Sequence, residues 1–145
     1  MWPAEGVSTA PTGKDTMTMT TAEPMKLEPM VPKGQGDVRE FPWGRIVWTV
    51  AGHLGNSDAL TFGIVTINPG TSNPPHVHPN CDEVLYLLAG RLRHELGDKE
   101  FDMKAGDTIS IPTGIKHRAN VVGDEPAIMA VSYSTPDRQI THLEA

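Results

Sequence analysis

Short segments in which apolar and polar residues alternate dominate this chain from Phe41 onward. In the first segment, Ile46, Trp48 and Val50 share one face of a predicted strand. The predicted strands cover residues 45–50, 60–67, 76–78, 83–88, 91–96, 99–103, 108–111, 118–122 and 126–133. No segment carries an apolar stripe of helical period, so the pattern predicts an all-β sandwich or barrel formed by a single domain.

The first 38 residues have a different composition from the rest of the chain. They are rich in Pro, Thr, Met and Gly and have little apolar periodicity. Such a segment buries too little apolar surface to offset the entropy of ordering it. We therefore predict a flexible tail at 1–38 and a barrel domain at 39–145. An alternative is that Leu27 to Val31 forms an arm that lies across a partner subunit.

Composition and charge exclude several classes of function. The chain has 145 residues and a formal net charge of −6, which disfavours binding to a phosphate backbone, so no nucleic-acid partner is expected. No apolar stretch approaches the roughly 20 residues that span a bilayer, and no signal-peptide core is evident. A single cysteine forms no disulfide within the chain, and nothing suggests export. We expect a cytoplasmic protein with no membrane partner.

A histidine-rich segment carries the strongest chemical signal. His76 and His78 are two residues apart, so both side chains leave the same face of a strand. The surrounding prolines exclude a helix here. After the four residues 79–82, which allow a turn, Glu83 opens a new predicted strand and returns a carboxylate towards the two imidazoles. His117 repeats the arrangement after a second turn. Three imidazoles and a carboxylate suit a divalent transition metal.

The same residues resemble the two sequence motifs of the cupin family. In the first motif, a glycine precedes His-x-His, a glutamate and a second glycine, as at Gly70, His76, His78, Glu83 and Gly90. In the second, a glycine precedes Pro-x-Gly, a histidine and an asparagine, as at Gly106, Pro112, Gly114, His117 and Asn120. Asn120 comes one residue earlier than the usual spacing, but this asparagine is not normally a ligand.

The resemblance implies a jelly-roll barrel, also called a double-stranded β-helix. The resemblance and the donor set together imply one divalent transition metal per chain (Fe, Mn, Ni, Zn, Co or Cu), with His76, His78, Glu83 and His117 as ligands. The resemblance also implies a homodimer and a small-molecule substrate. Glu83 has a second interpretation, in which it acts as a catalytic proton acceptor.

Side chains of a strand point alternately to its two faces, so the position of each candidate ligand predicts which neighbouring side chains also point into the barrel. Leu85 follows Glu83 inward, and Ala119 follows His117. His94 shares a face with Leu92 and Leu96, and is interpreted either as a hydrogen-bonded histidine at the edge of the core or as a residue that supports the ligands. Candidate pocket residues are thus Leu85, His94, Ala119, Met129 and Tyr133. The predicted surroundings of the metal are apolar.

Other residues near the motifs have simpler interpretations. Cys81 lies two residues before Glu83, but a thiolate would add a soft donor to a complete set of four, so a small turn residue is favoured. Met129 and Tyr133, in the last predicted strand, are interpreted either as lining the cavity or as filling the core, and packing is favoured because methionine commonly fills gaps. Trp43 and Trp48 are expected to pack against a neighbouring sheet or subunit rather than to bind substrate. His53 and His142 are expected to be solvent-exposed.

Three functions are consistent with these residues. The leading hypothesis is a metal-dependent enzyme of dioxygenase type that acts on a small oxygen-rich organic molecule. A metal-dependent lyase or sugar-acid isomerase is the alternative. That class needs a proton-transferring group, and some cupin lyases carry a tyrosine two residues after the ligand glutamate, where this chain has Leu85. A non-catalytic cupin that binds a metabolite or a metal is the third hypothesis.

Overall fold

The computed structural model describes residues 25–144, which form two antiparallel β-sheets. The predicted all-β jelly roll is confirmed. In chain order the strands are β1 (Asp37–Phe41), β2 (Gly44–Val50), β3 (Thr61–Ile67), β4 (His76–Val77), β5 (Glu83–Ala89), β6 (Arg91–Leu96), β7 (Lys99–Lys104), β8 (Thr108–Ile111), β9 (His117–Val121), β10 (Ala127–Tyr133) and β11 (Thr141–His142), with one 3-10 turn at Gly52–Leu54.

The order of the strands shows that the chain crosses repeatedly between the sheets. The larger sheet has the order β1-β2-β3-β10-β5-β8, and the smaller has the order β11-β4-β9-β6-β7. β10 pairs with both β3 and β5, strands far earlier in the chain. Pairing between strands distant in sequence closes the jelly roll and places β4, β5 and β9 around one interior.

Side chains that point between the sheets form the core. Along β5, Glu83, Leu85 and Leu87 are buried, whereas Val84 and Tyr86 are exposed. This alternation is the one that strand parity predicts. Full burial of a leucine such as Leu87 contributes about 1.5–3 kcal/mol. The leucines on this face belong to the hydrophobic core, and Glu83 is the buried polar residue at the end of the same face.

The turn between β5 and β6 requires a glycine. Gly90, the last glycine of the first motif, has a φ of 83°, in the left-handed region that residues with a Cβ rarely adopt. A Cβ there would also lie 2.5 Å from the carbonyl oxygen of Pro126. Local geometry therefore explains why the motif has a glycine at this position, independent of any ligand.

The structure contains two strands that the sequence pattern did not predict, β1 and β11. β1 begins at Asp37, so the predicted boundary between tail and barrel at residue 38 falls inside a strand. Leu27 packs against the hydrophobic core of its own chain, and its backbone N–H donates to the carbonyl oxygen of Leu54 at 2.7 Å. The rest of the predicted tail, residues 1–24, lies outside the described residues. Within residues 25–144, no helix has the length and apolar character needed to cross a bilayer.

Candidate metal centre

The ends of three strands bring the predicted ligands together. His76 begins β4 and lies opposite His117, the first residue of β9, in the antiparallel register. His78 follows directly after β4, and Glu83 begins β5 in the other sheet. Opposed side chains on one face of an antiparallel pair lie about 4.5–5.5 Å apart at their Cβ atoms. The register thus places the histidines side by side and the carboxylate facing them.

The four side chains converge on a point inside the barrel. One ligand atom from each of His76, His78, Glu83 and His117 lies within 4.8 Å of all the others. None of these residues is more than 6% exposed. Atoms bound to one ion at about 2.1 Å lie at most about 4.2 Å apart. A small inward movement of the side chains is therefore enough to surround an ion.

Backbone carbonyl groups fix the tautomers of the three histidines. The Nδ1 atoms of His76, His78 and His117 lie 2.7, 2.8 and 2.9 Å from the carbonyl oxygens of Pro74, Gln139 and Ile115, respectively. Because a carbonyl oxygen only accepts, each Nδ1 carries the hydrogen and donates it. In the neutral form of each ring, Nε2 therefore presents its lone pair. Metal-binding histidines commonly have their other nitrogen bonded in this way.

The Nε2 atoms and the carboxylate of the candidate site face one another as hydrogen-bond acceptors, without a donor between them. The buried Nε2 of His78 has no hydrogen-bond partner, although it lies 3.2 Å from Oε1 of Glu83. Nε2 of His117 lies at the same distance from that oxygen. Neutral Nε2 atoms and a carboxylate are all acceptors, so only a cation or added protons satisfy them together. This set of acceptors fits a divalent transition metal.

Burial and mutual contacts shift the titration of two ligands. Burial, followed by the charge of His117, lowers the pKa of His76 to about 3. Burial alone raises the pKa of Glu83, but its contacts with His117 and His78 outweigh burial and lower the pKa below its ordinary value. At neutral pH His76 is therefore neutral and Glu83 is ionised. These are the protonation states that metal binding requires.

Comparison with known proteins identifies the family. The sequence model of the cupin domain (Cupin_2) matches residues 63–133, a range that contains all four candidate ligands. Germin-like protein 3-3 from Oryza sativa subsp. japonica is 34% identical over 119 residues, which cover 74% of this chain and 52% of the germin-like protein. The chain belongs to the cupin superfamily. Its three histidines and glutamate are a site typical of metal binding by cupins.

Further relatives of this cupin include enzymes. Polyketide synthase CurC from Streptomyces cyaneus is 28% identical over 132 residues, covering 90% of the cupin and 80% of CurC. The structure of Lactobacillus farciminis oxalate decarboxylase in complex with formate aligns with a TM-score of 0.69 and 25% identity, covering 74% of the cupin and 33% of the decarboxylase. The cupin therefore spans about half of the germin-like protein and a third of the decarboxylase.

A second oxalate decarboxylase, from Bacillus subtilis, has Mn(II) centres. It aligns with a TM-score of 0.67 and 22% identity, covering 79% of the cupin and 35% of the decarboxylase. At this identity the likeness concerns the fold alone. The ligands of the cupin, a mixture of imidazoles and one carboxylate, accept several first-row metals, so the donor set does not choose among the six metals that we expected.

The candidate ligands lie in the wall of a cavity of about 540 Å³. Cavities of this size accommodate molecules of some hundreds of daltons. Apolar side chains supply most of the rest of the lining, which includes Phe41, Pro42, Trp43, Ile46, Val65, Leu85, Ala119, Met129, Val131 and Ile140. Such a lining binds the apolar body of a ligand, and the histidines and Glu83 face its polar atoms.

All five candidate pocket residues line this cavity: Leu85, His94, Ala119, Met129 and Tyr133. Each of them is also buried. Met129 and Tyr133 thus pack in the core and border the cavity at once, so the two interpretations do not exclude each other. Contact of any of the five with a substrate stays a prediction.

Among the described residues, one ring nitrogen of His94, Nδ1, lacks the hydrogen bond that one interpretation predicted for this residue. Its Nδ1 is buried and has no hydrogen-bond partner among residues 25–144. Its ring stacks on that of His117, with centroids 5.9 Å apart. Cys81 is buried outside the candidate ligand set, and burial raises the pKa of its thiol. Neither His94 nor Cys81 belongs to the candidate ligand set.

Several residues of the cavity wall were missed or interpreted differently from the sequence. Trp43 lines the cavity and stacks on Phe41, with ring centroids 4.8 Å apart and an interplanar angle of 3°. Trp43 also packs against the hydrophobic core, which agrees with the packing interpretation, so packing and a place in the cavity wall do not exclude each other. Arg138 and His142 reach the cavity because the chain after β10 returns to pair β11 with β4. His142 is exposed, as predicted, and so is His53.

Proposed function

We propose that this cupin is a metal-dependent enzyme of dioxygenase type. Its substrate is a small organic molecule with an apolar body and neighbouring oxygen atoms that chelate a metal. The observation that carries this proposal is the convergence of three Nε2 lone pairs and one carboxylate in the wall of a mostly apolar 540 Å³ cavity. A metal bound there by His76, His78, Glu83 and His117 would supply Lewis acidity and a means of reacting with dioxygen.

Glu83 is the group that we propose to accept a proton from the substrate. Its carboxylate is ionised, lies within the ligand cluster and is the only carboxylate among the described residues of the cavity wall. Transfer of the proton of an enol or phenol to this oxygen leaves an electron-rich substrate. In the overall reaction the substrate supplies four electrons to dioxygen, and both oxygen atoms enter the product. The reaction therefore needs no other reductant.

The apolar wall supports this chemistry in two ways. Leu85, Ala119 and Met129 exclude water from the space beside the ligands, which strengthens electrostatic interactions there. The stacked pair of Phe41 and Trp43 offers an aromatic surface to the body of a flat substrate. Apolar binding energy positions the substrate, and the polar groups select its oxygen atoms.

One observation favours the second candidate, a lyase or isomerase. Tyr133 lies directly opposite Glu83 in the register of β10 and β5, and it lines the cavity. Burial, followed by the negative charge of Glu83, raises the pKa of Tyr133 well above its ordinary value. The phenol therefore stays protonated and is able to donate. It supplies a proton donor in addition to the motif residue Glu83.

The test begins with metal analysis of the protein purified without added metal. Oxygen consumption is then measured with catechols, flavonols and diketones. We expect bound metal and oxygen uptake in the natural protein, and loss of both in His76→Ala. The matched control is His53→Ala, which removes an exposed histidine that instead pairs with Asp37 at 3.0 Å. A protein without bound metal would contradict the proposal.

Tyr133→Phe separates the two enzyme classes. In a dioxygenase we expect this variant to retain most of the oxygen uptake, because Glu83 accepts the proton. In a lyase or isomerase, turnover proceeds without oxygen and falls strongly in Tyr133→Phe, by about 10²–10⁴-fold for a lost general acid. Tight metal binding without turnover of any compound would instead support a non-catalytic cupin.

A further inference from the structure

The cavity wall contains one cation that the proposed reaction does not use. Among the described residues that line the cavity, Arg138 is the only lysine or arginine, and Glu83 is the only carboxylate. Glu83 belongs to the candidate ligand set. Within residues 25–144, Arg138 forms no salt bridge with any carboxylate. Its positive charge is therefore available to a molecule in the cavity.

Two aromatic rings hold the guanidinium group in place. Its central carbon lies 4.8 Å from the ring centroid of Trp48 and 5.3 Å from that of Tyr133. Stacking uses the flat face of the group and leaves the N–H donors at its edge free to bind an acceptor. An arginine fixed in this manner binds a carboxylate at a smaller entropic cost than a mobile one.

The guanidinium group lies within reach of a ligand that also contacts the metal centre. The ring centroid of Tyr133 is 5.0 Å from that of His78, a candidate ligand, and 5.3 Å from the central carbon of Arg138. The guanidinium carbon is therefore no farther from the centroid of the imidazole than the sum of these two distances. A ligand built on one substituted benzene ring is the size of molecule that we test for this interval.

The balance of charge indicates what the cavity binds. A divalent ion with three neutral histidines and Glu83 has a net charge of +1, and Arg138 adds a second positive charge to the wall. In apolar surroundings an unneutralised charge is costly, so the complementary ligand is an anion. Deprotonated chelating oxygens of the ligand balance the positive charge at the metal. A second negative group of the ligand balances the positive charge of Arg138.

We infer that the substrate carries an acidic group, such as a carboxylate, in addition to its metal-chelating oxygens, and that Arg138 binds this acidic group. The inference rests on the proposed function, because it assumes that the substrate chelates the metal. It adds a specificity for apolar acids over neutral molecules of the same shape. A neutral analogue would leave the guanidinium unpaired.

The test measures binding rather than turnover. The full chain is loaded with Zn(II), which has no redox chemistry. Isothermal titration calorimetry then compares 3,4-dihydroxybenzoate and 3,4-dihydroxyphenylacetate, two acids of different length, with the neutral 4-methylcatechol. We expect at least one acid to bind about tenfold more tightly than 4-methylcatechol, as a charge-assisted pair to arginine implies.

Three variants assign this preference to its cause. Arg138→Met keeps an unbranched stem against Trp48 and removes the charge, so we expect the preference to disappear while the Kd of 4-methylcatechol is unchanged. Arg138→Lys retains the charge and is expected to keep part of the preference. Arg93→Met is the matched control, because Arg93 is exposed and pairs with Asp102 away from the cavity.

The outcomes separate this inference from the proposed function. A protein that binds Zn(II) but shows no preference for either acid, or binds none of the three compounds, overturns the inference alone. A preference that survives in Arg138→Met also overturns it, as does an equal loss of affinity for acids and 4-methylcatechol, which would indicate a packing role. Failure of the natural protein to bind metal overturns the proposed function instead.

Discussion

The ring of His94 lies almost parallel to the ring of His117, with an interplanar angle of 12°. His94 is 1% exposed, and no hydrogen-bond partner reaches its Nδ1 among residues 25–144. Burial, followed by the charge of His117, lowers the pKa of His94 to about 4. His94 is therefore a neutral ring at neutral pH. It supports the candidate ligand His117 by packing from the neighbouring strand β6.

Replacement of His94 separates packing from hydrogen bonding. We expect His94→Leu to change the free energy of unfolding by less than about 1 kcal/mol, because it fills the space and removes an unsatisfied nitrogen. His94→Ala leaves a cavity and is expected to cost about 2–4 kcal/mol. Urea unfolding of the metal-free protein measures both. A loss of metal affinity of about 10- to 100-fold in His94→Leu would contradict packing and indicate an orienting role.

Removal of the metal is expected to destabilise the protein. At a free metal concentration 1,000 times the Kd, binding stabilises the folded state by about 4 kcal/mol, so a chelator lowers Tm by about 10 °C. His76→Ala lacks one ligand, and we expect its Tm to be nearly insensitive to the chelator. His53→Ala is expected to respond as the natural protein does. Thermal scans with and without chelator measure the difference; identical scans for the natural protein would contradict metal binding.

The metal-free protein is expected to lose stability in mild acid. The folded-state pKa values of about 3 for His76 and about 4 for His94 lie below the unfolded value near 6.5, so the unfolded chain binds more protons between these values. Stability therefore falls as the pH is lowered from about 6.5, by up to about 1.4 kcal/mol per pH unit for each histidine. The lowered pKa of Glu83 acts in the same direction below about pH 4.5.

Urea unfolding at pH 7, 6 and 5 with a chelator present measures this dependence. The matched variant is His94→Leu, which has one histidine fewer and is expected to show a shallower slope. Stability that stays constant between pH 7 and pH 5 would show that the folded and unfolded chains take up protons equally, and would contradict the lowered pKa values of these rings.

Truncation of the aromatic wall is expected to weaken binding without impairing chemistry. Trp43 borders the cavity but is not a candidate ligand, so Trp43→Ala removes contact with the body of the substrate. We expect KM to rise about tenfold with kcat largely retained, since the lost binding energy is common to substrate and transition state. Phe101→Ala, which truncates an exposed aromatic residue of β7, is the control. A fall in kcat at unchanged KM would contradict this role for Trp43.

The sequence was sufficient to predict the central strands and the inward residues. The alternation of residues along β5 identified Leu85 as an inward-pointing side chain. In a strand with one buried face, only every second side chain points into the core. Two histidines at a spacing of two, flanked by proline, permitted only an extended segment. In these regions local pattern and tertiary burial agree, and prediction succeeded.

Residues at the edges of the sheets escaped prediction. β1 is mostly exposed, so its sequence carries no alternation of apolar and polar residues. β11 has only two residues, and it exists because it pairs with β4, more than sixty positions earlier in the chain. Arg138 enters the cavity wall through the same return of the chain. Tertiary structure determines contacts of this kind, and no local sequence pattern predicts them.

The carbonyl group that fixes the tautomer of His78 belongs to Gln139, 61 positions further along the chain. On the ribosome, the motif that contains His78 is therefore synthesised well before the group that orients it. The orientation of the His78 ring seen in the folded protein therefore forms only once Gln139 has been synthesised and has docked beside His78.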